Sequence, residues 1–210
     1  MGGRDYALLP YRWLRARLVD LRDAVDRARH PGRHRRAREA LTQARPTNVL
    51  FVCLGNVCRS PYAEAALRGR ASGVEVESAG FIGPGRPPPD TALEAARTRG
   101  LDHGSHRSRE ITPEMLARAG AVFVFDRFNL ARLSSLPGAV DAPVFWLGDL
   151  DPVWAGKRAI IDPWGKGREE FDRTFERIDR CVDVLIETLK LGVSGSQTNR
   201  GTRGGTGADR

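Results

Sequence analysis

Residues 48–61 read Asn48-Val49-Leu50-Phe51-Val52-Cys53-Leu54-Gly55-Asn56-Val57-Cys58-Arg59-Ser60-Pro61. Val49 to Val52 is an unbroken apolar run. A strand buried on one face alternates apolar and polar residues, whereas an unbroken run suits a sheet covered on both faces. Pro61 stands where a helix is expected to begin, because its ring presets φ and its missing N–H is not needed in the first turn. Between strand and helix lie Gly55 and Asn56, residue types that readily take a left-handed backbone. Such a loop can turn successive N–H groups toward one point, and the helix N-terminus adds partial positive charge. The segment is therefore expected to cradle an anion. Arg59 adds a planar fork that can bind two phosphate oxygens. The same field favours a thiolate at Cys53.

Outward from this stretch the chain alternates strand and helix. Strands are expected at Val74–Ser78, Ala121–Phe125 and Val144–Leu147. Helices are expected at Pro61–Arg70, Thr91–Arg99, from Thr112-Pro113-Glu114, and at Asn129–Leu136. Phe171, Phe175, Ile178, Val182, Leu185 and Leu189 repeat at helical spacing, so a last helix lays one apolar stripe on the sheet. Alternation of this kind implies an α/β fold with a parallel sheet and right-handed crossovers. Ligands of such folds sit at the carboxyl ends of the strands, which is where Cys53 falls.

The net charge of +8 is unevenly placed. Residues 1–46 hold 12 Arg against 5 acids, residues 47–190 hold 19 basic against 20 acidic residues, and the rest holds 3 Arg against 1 Asp. Basicity therefore belongs to the N-terminal extension, and any nucleic-acid reading must live there. In that extension Leu14, Leu18, Leu21, Val25 and Ala28 make an amphipathic stripe, which His30-Pro31-Gly32 is expected to end. A second basic segment, Arg33 to Arg45, follows. Residues 191–210, rich in Gly, Ser and Thr, read as a disordered tail after a 47–190 domain. No stretch approaches the ~18 apolar residues of a membrane span and none has the form of a secretory leader, so the expected compartment is the cytoplasm. Three cysteines are an odd number for a disulfide framework and too few for a four-cysteine zinc site. The four histidines show no metal-ligand spacing with them.

The run Cys53 to Pro61 closely resembles the signature of the low-molecular-weight protein tyrosine phosphatases of bacterial type. Further matches follow in order: Ser78-Ala79-Gly80, His106-Arg107-Ser108-Arg109, the Asp126 segment, and Asp162-Pro163-Trp164. The resemblance implies a four-stranded parallel sheet flanked by helices on both faces. It implies hydrolysis of phosphotyrosine through a phosphocysteine intermediate, with no metal or organic cofactor. The phosphate-binding loop would comprise Cys53, Leu54, Gly55, Asn56, Val57, Cys58, Arg59 and Ser60. Cys53 would be the nucleophile and Arg59 the phosphate clamp. Ser60 would hydrogen-bond the sulfur, and Asn56, Ser78 and His106 would complete the supporting network.

Phenolate is a poor leaving group unless it is protonated as the P–O bond breaks. Two rigid pairs could supply the acid, Asp151-Pro152 and Asp162-Pro163, and chemistry alone does not choose between them. The family places its acid in an Asp-Pro-aromatic segment shortly before the last helix, which fits Asp162. Asp151 then reads as a loop-rigidifying turn residue. Phe81 and Trp164 are the candidate contacts for a flat substrate ring. Cys58 is either packing beneath the loop or a redox partner that captures oxidised Cys53.

Three rival functions share these features. Arsenate reductases of the fold need two further cysteines beyond the loop, and only Cys181 is present there. Arginine phosphatases of the fold carry Thr where this chain has apolar Val57. A non-enzymatic phosphate- or nucleic-acid-binding adaptor would use the basic extension. The expected partner is a tyrosine-phosphorylated protein, with a bacterial tyrosine kinase as one candidate. The extension either packs on the domain or docks a partner or an acidic surface.

Overall fold

The computed structural model describes residues 9–137 and 142–193. Strand β1, Asn48–Val52, lies inside a parallel sheet, flanked by β3, Glu75–Ala79, and β4, Ala121–Val124. Strand β5, Val144–Trp146, pairs in parallel with β4, so the order is β3-β1-β4-β5. The apolar runs are explained by burial on both faces. Val49, Phe51 and Phe123 face one core, and Leu50, Val52, Val122 and Val124 face the other. Alternate residues of one strand thus enter different cores, and neither face tolerates a polar residue.

The first core is closed by α2, Arg59–Arg70, by α3, Asp90–Arg97, and by α6, Arg168–Leu189. Phe171, Phe175, Ile178, Val182 and Leu185 of α6 are all buried, as their spacing predicts. Tyr62 of α2 stacks on Phe175 with ring centroids 3.7 Å apart and donates its hydroxyl proton to Asp179. The second core is closed by α4, Pro113–Arg118, and α5, Arg127–Ser134. Thr112 caps α4 by accepting from the N–H of Met115, and Asp126 caps α5 by accepting from that of Asn129. The sheet with helices on both faces is the expected architecture.

Two expectations fail at the chain ends. The first helix does not end at His30-Pro31-Gly32. Helix α1 runs from Leu9 to Ala44 with Pro31 inside it. Proline removes a backbone donor and costs helix interiors about 3 kcal/mol, but here the following turns are fastened to the domain. His30 is buried, Arg38 bonds Thr188 at 3.1 Å, and Leu41 is wholly enclosed in the first core. Of the apolar stripe, Leu21 and Val25 are exposed, 63% and 40% accessible, and the helix docks through other residues. At the other end Gly192–Val193 forms β6, paired antiparallel with β2, Ala71–Ser72. The expected tail beyond residue 193 lies outside the described residues.

Candidate active site

The loop after β1 is built around Asn56. Its φ is +51°, a left-handed conformation that asparagine takes more readily than most residues. The side chain is fully buried and all its polar atoms are engaged. Oδ1 accepts from the N–H of Arg109 at 2.9 Å, which fixes the amide so that Nδ2 faces two hydroxyls. Nδ2 donates to Ser60 Oγ at 2.9 Å and to Ser78 Oγ at 2.8 Å. Ser78 in turn passes its proton toward Glu64. The Ser60 hydroxyl lies 3.1 Å from Cys53 Sγ and 3.4 Å from the Ala79 carbonyl oxygen, and toward a thiolate, which can only accept, it is the donor. A chain of hydrogen bonds thus connects Asn56 to the sulfur. His106 closes it from outside, with Nε2 donating to the carbonyl of Asn56 at 2.9 Å. Burial holds the His106 pKa below its ordinary value, so the ring is neutral and Nε2 carries its one proton.

Gly80 explains why Ser78-Ala79-Gly80 must end in glycine. A Cβ there would come within 2.8 Å of the Asn56 nitrogen and 2.9 Å of the Leu54 carbonyl oxygen. The β3 end thus presses against the loop and reinforces its curl, with Phe81 N–H donating to Leu54 O at 2.8 Å.

Arg59 opens α2 and is 1% exposed. Nη1 donates to Asp126 at 2.6 Å and to the carbonyl of Ile160 at 3.0 Å, and Nη2 donates to Asp162 at 2.6 Å. Burial opposes its charge, but the negative charges of Cys53, Asp162 and Asp126 raise its pKa above the ordinary guanidinium value. Its Nε–H is buried with no partner among the described residues. An unpaired buried donor is costly, and this one shares an edge of the guanidinium with Nη2. That edge suits a bidentate oxyanion.

Cys53 forms the floor of a cleft of about 140 Å³. Its walls are the loop residues Leu54, Gly55, Val57 and Cys58 together with Ile82, Arg86, Asp162 and Trp164. Trp164 is 58% exposed and its N–H donates to Asp162 Oδ1 at 3.2 Å. Wider depressions elsewhere on the surface do not reach Cys53.

The chain matches the family described as low molecular weight phosphotyrosine protein phosphatase over residues 48–194. It belongs to the low-molecular-weight protein tyrosine phosphatase family. A probable low-molecular-weight protein-tyrosine-phosphatase, EpsP of Ralstonia nicotianae, is 35% identical over 144 residues, covering 68% of this chain and 95% of the relative. The pig low molecular weight phosphotyrosine protein phosphatase (Sus scrofa) is 32% identical, covering 68% of this chain and 96% of its own length. Among solved structures, the YwlE arginine phosphatase from Geobacillus stearothermophilus superposes with a TM-score of 0.61. It is 30% identical and covers 69% of this chain and 93% of its own. The low molecular weight protein tyrosine phosphatase of T. tengcongensis gives 0.59 at 30% identity, over 67% of this chain and 98% of its own. This phosphatase is thus a cysteine-based one, and α1 lies wholly outside the matched region.

Within the phosphatase, Cys53, Asn56, Arg59, Ser60, Ser78, His106, Asp162 and Trp164 fall together around one cleft. Phe81 does not. Its ring is buried in the second core, with the Arg132 guanidinium 5.6 Å from its centroid. The bond from its N–H to the loop leaves Ile82, the next side chain, on the cleft wall. Asp151 is fully buried away from the cleft, paired with Arg177 and Arg180 at 2.9 Å each. The sequence alone assigns no role to four supporting residues, although Arg109 and Asp126 lie in segments that match the family. Glu64 is a buried carboxylate in the middle of α2, Arg109 bonds both Asn56 and the Ser78 carbonyl, and Asp126 clamps Arg59. Arg86 holds the Gly55 carbonyl at 2.8 Å.

Proposed function

We propose that this protein hydrolyses phosphotyrosine in proteins in two steps, with Cys53, Arg59 and Asp162 as the catalytic set. The Cys53 thiolate attacks phosphorus in line with the tyrosyl oxygen. The P–O bond breaks as the S–P bond forms, and a proton from Asp162 goes to the departing phenol. Water then attacks the phosphocysteine, Asp162 takes its proton, and the sulfur leaves as a thiolate stabilised by the Ser60 hydroxyl and the loop's N–H groups.

The observation that carries this reading is the state of Arg59. A guanidinium held on one edge by Asp126 and Ile160 presents its other edge, Nε and Nη2, beside Cys53. Phosphate and Asp162 compete for Nη2, so an arriving phosphate displaces the Asp162 carboxylate. The displaced group is then free to turn toward the leaving oxygen and protonate it.

Tyrosine is favoured over arginine by the wall chemistry. Val57 is apolar and lines the cleft, and Ile82 and Trp164 flank it. These surfaces suit a flat phenyl ring and offer a phosphoguanidinium no hydroxyl. The arsenate reductase reading finds no support, since Cys181 is fully buried in α6 away from the cleft and burial pushes its thiol pKa up. The substrates would be tyrosine-phosphorylated proteins of the cytoplasm, a bacterial tyrosine kinase among them, and residues 47–190 would form the catalytic domain. A panel of phosphotyrosine, phosphoserine and phosphoarginine peptides tests the assignment. Phosphotyrosine turnover should dominate, and faster release of phosphate from phosphoarginine would overturn it.

A further inference from the structure

Helix α1 has two faces with different fates. Its second half docks on the domain through His30, Arg33, His34, Arg38 and Leu41. At about 100° per residue, the row Leu14, Leu18, Leu21, Val25, Ala28 lies roughly on the opposite side of the helix. Leu21, Ala24, Val25, Ala28 and Arg29 are all exposed, and Leu18 and Leu14 stand in the same row of the sequence one and two turns before Leu21. The docked face therefore fixes the helix to the domain while Leu21, Val25 and Ala28 of the row stay exposed.

The charges beside this row decide what can cover it. In the 4-3-4-3 spacing, one flank is Arg15, Arg22 and Arg29, and the other is Arg17 and Ala24. Asp20, Asp23 and Asp26 all lie outside both flanks. A second copy of the helix would bring these flanks together in either orientation, with arginine meeting arginine or alanine and never an acid. Self-association is therefore opposed. A surface that is negative on both sides of an apolar layer is fitted. An acidic protein helix would need carboxylates matched in register to both flanks, whereas anionic lipid headgroups supply charge at any register. Among the described residues no helix is long and apolar enough to cross a membrane, so the row can only lie along a surface.

We propose that the first half of α1 is an interfacial anchor for a bilayer rich in acidic phospholipid. Leu14, Leu18, Leu21 and Val25 enter the acyl boundary and the flanking arginines meet lipid phosphates. Tyr11 and Trp13, which precede the row, are residue types favoured at that boundary. The docked half then holds the catalytic domain at the membrane surface without inserting it.

The test is sedimentation of the full-length protein with vesicles. Phosphatidylcholine vesicles containing phosphatidylglycerol should pellet it, and pure phosphatidylcholine vesicles should not. Changing Arg15, Arg22 and Arg29 together to Glu should weaken binding by roughly 100-fold or more, given the electrostatic contribution of each basic residue. The pair Leu21→Asp and Val25→Asp should abolish it. Both variants should keep wild-type hydrolysis of p-nitrophenyl phosphate in solution, which reports an intact domain. Failure to pellet with anionic vesicles overturns the proposal. So does binding that survives Leu21→Asp with Val25→Asp, because charge alone, as for a nucleic acid, would then suffice. A dimer in analytical ultracentrifugation that the same pair dissolves would assign the row to a second copy instead. Polyglutamate binding as tight as vesicle binding would assign it to an acidic protein.

Discussion

His30 Nε2 lies 2.9 Å from the carbonyl oxygen of Asp151, a residue 121 positions later in the chain. The carbonyl can only accept, so Nε2 carries the ring proton. Through this bond the N-terminal helix reaches a buried network. The Asp151 carboxylate pairs with Arg177, and Arg177 also donates to the carbonyls of Lys157 and Ala159 at 2.6 and 2.7 Å. The next residue, Ile160, gives its carbonyl to Arg59. Asp151 is thus a structural anchor behind the segment that carries Asp162, although both are Asp-Pro pairs.

The two aspartates should separate cleanly on substitution. Asp151→Asn leaves Arg177 buried beside a neutral amide. Breaking one partner of a buried pair costs about 3 kcal/mol, or a fall in Tm of roughly 6–12 °C for a domain of this size. The surviving folded enzyme should show no new dependence on the leaving group. Asp162→Asn should leave Tm nearly unchanged, slow phosphotyrosine turnover by about 10²-fold, and hurt activated aryl phosphates much less. Thermal melts with a leaving-group series check both, and the opposite pattern would move the acid to Asp151.

Cys53→Ser should abolish hydrolysis of p-nitrophenyl phosphate while the circular dichroism spectrum stays native. A serine hydroxyl remains protonated near neutral pH and is a poor nucleophile. Arg59→Lys should lose most activity as well, because an ammonium cannot reproduce the contacts of Nη1 and also offer phosphate the two donors of the Nε–Nη2 edge. Substantial turnover in purified Cys53→Ser would remove Cys53 from the mechanism.

Acid should destabilise the fold through His103. The ring is 6% exposed, neither nitrogen has a partner among the described residues, and it packs edge-on to Tyr62 at 6.2 Å. Burial first, then repulsion from His106, lowers its pKa from 6.5 to about 4, with Asp102 and Glu64 pulling the other way and Arg97 adding to the fall. A depressed histidine contributes stability above its unfolded pKa that is lost as pH falls toward the folded value. The loss should therefore develop between pH 6.5 and about 4. At about 1.4 kcal/mol per unit it amounts to up to about 3 kcal/mol. His103→Phe should flatten the Tm–pH profile in that window, and an unchanged profile would show that other groups dominate acid unfolding.

Most of the sheet and the loop could be read from the sequence because their signals are local. Val49–Val52 and Ala121–Val124 advertise burial on both faces, and the strand–loop–helix order places Cys53 unaided. What escaped depends on partners far along the chain. His30 and His34 look like the end of a helix beside Pro31, but they are fixed by carbonyls of Asp151 and Asp149. Glu64 looks like a solvent-facing helix residue until Ser78, Arg68 and Arg109 converge on it. Phe81 looks like a rim aromatic, but Gly80 lets β3 pass so close to the loop that the ring turns into the second core.

The last prediction concerns Cys58. It is 2% exposed, lines the cleft with Cys53, and occupies the N-cap position of α2 without a side-chain capping bond, with both thiols free. Burial, and then the charge of Cys53 and of Asp162, push its pKa well up, while Arg59 and Arg86 pull it down. In the resting enzyme Cys58 is therefore an inert thiol. Peroxide changes that balance. It oxidises the Cys53 thiolate to sulfenic acid with release of hydroxide or water, and the sulfenic acid is neutral. The repulsion from Cys53 disappears, the two arginines remain, and Cys58 becomes easier to ionise. Its sulfur can then attack Cys53, forming the S–S bond as the sulfenic oxygen leaves as water. This disulfide would shield Cys53 from irreversible sulfinic acid. Peroxide should accordingly inactivate the wild type reversibly, with dithiothreitol restoring most activity and mass spectrometry showing a Cys53–Cys58 link. Cys58→Ala should lose activity irreversibly under the same exposure. Cys181→Ala should behave as wild type, since Cys181 is enclosed in α6 and lines no part of the cleft. Full recovery of Cys58→Ala would leave Cys58 a packing residue only.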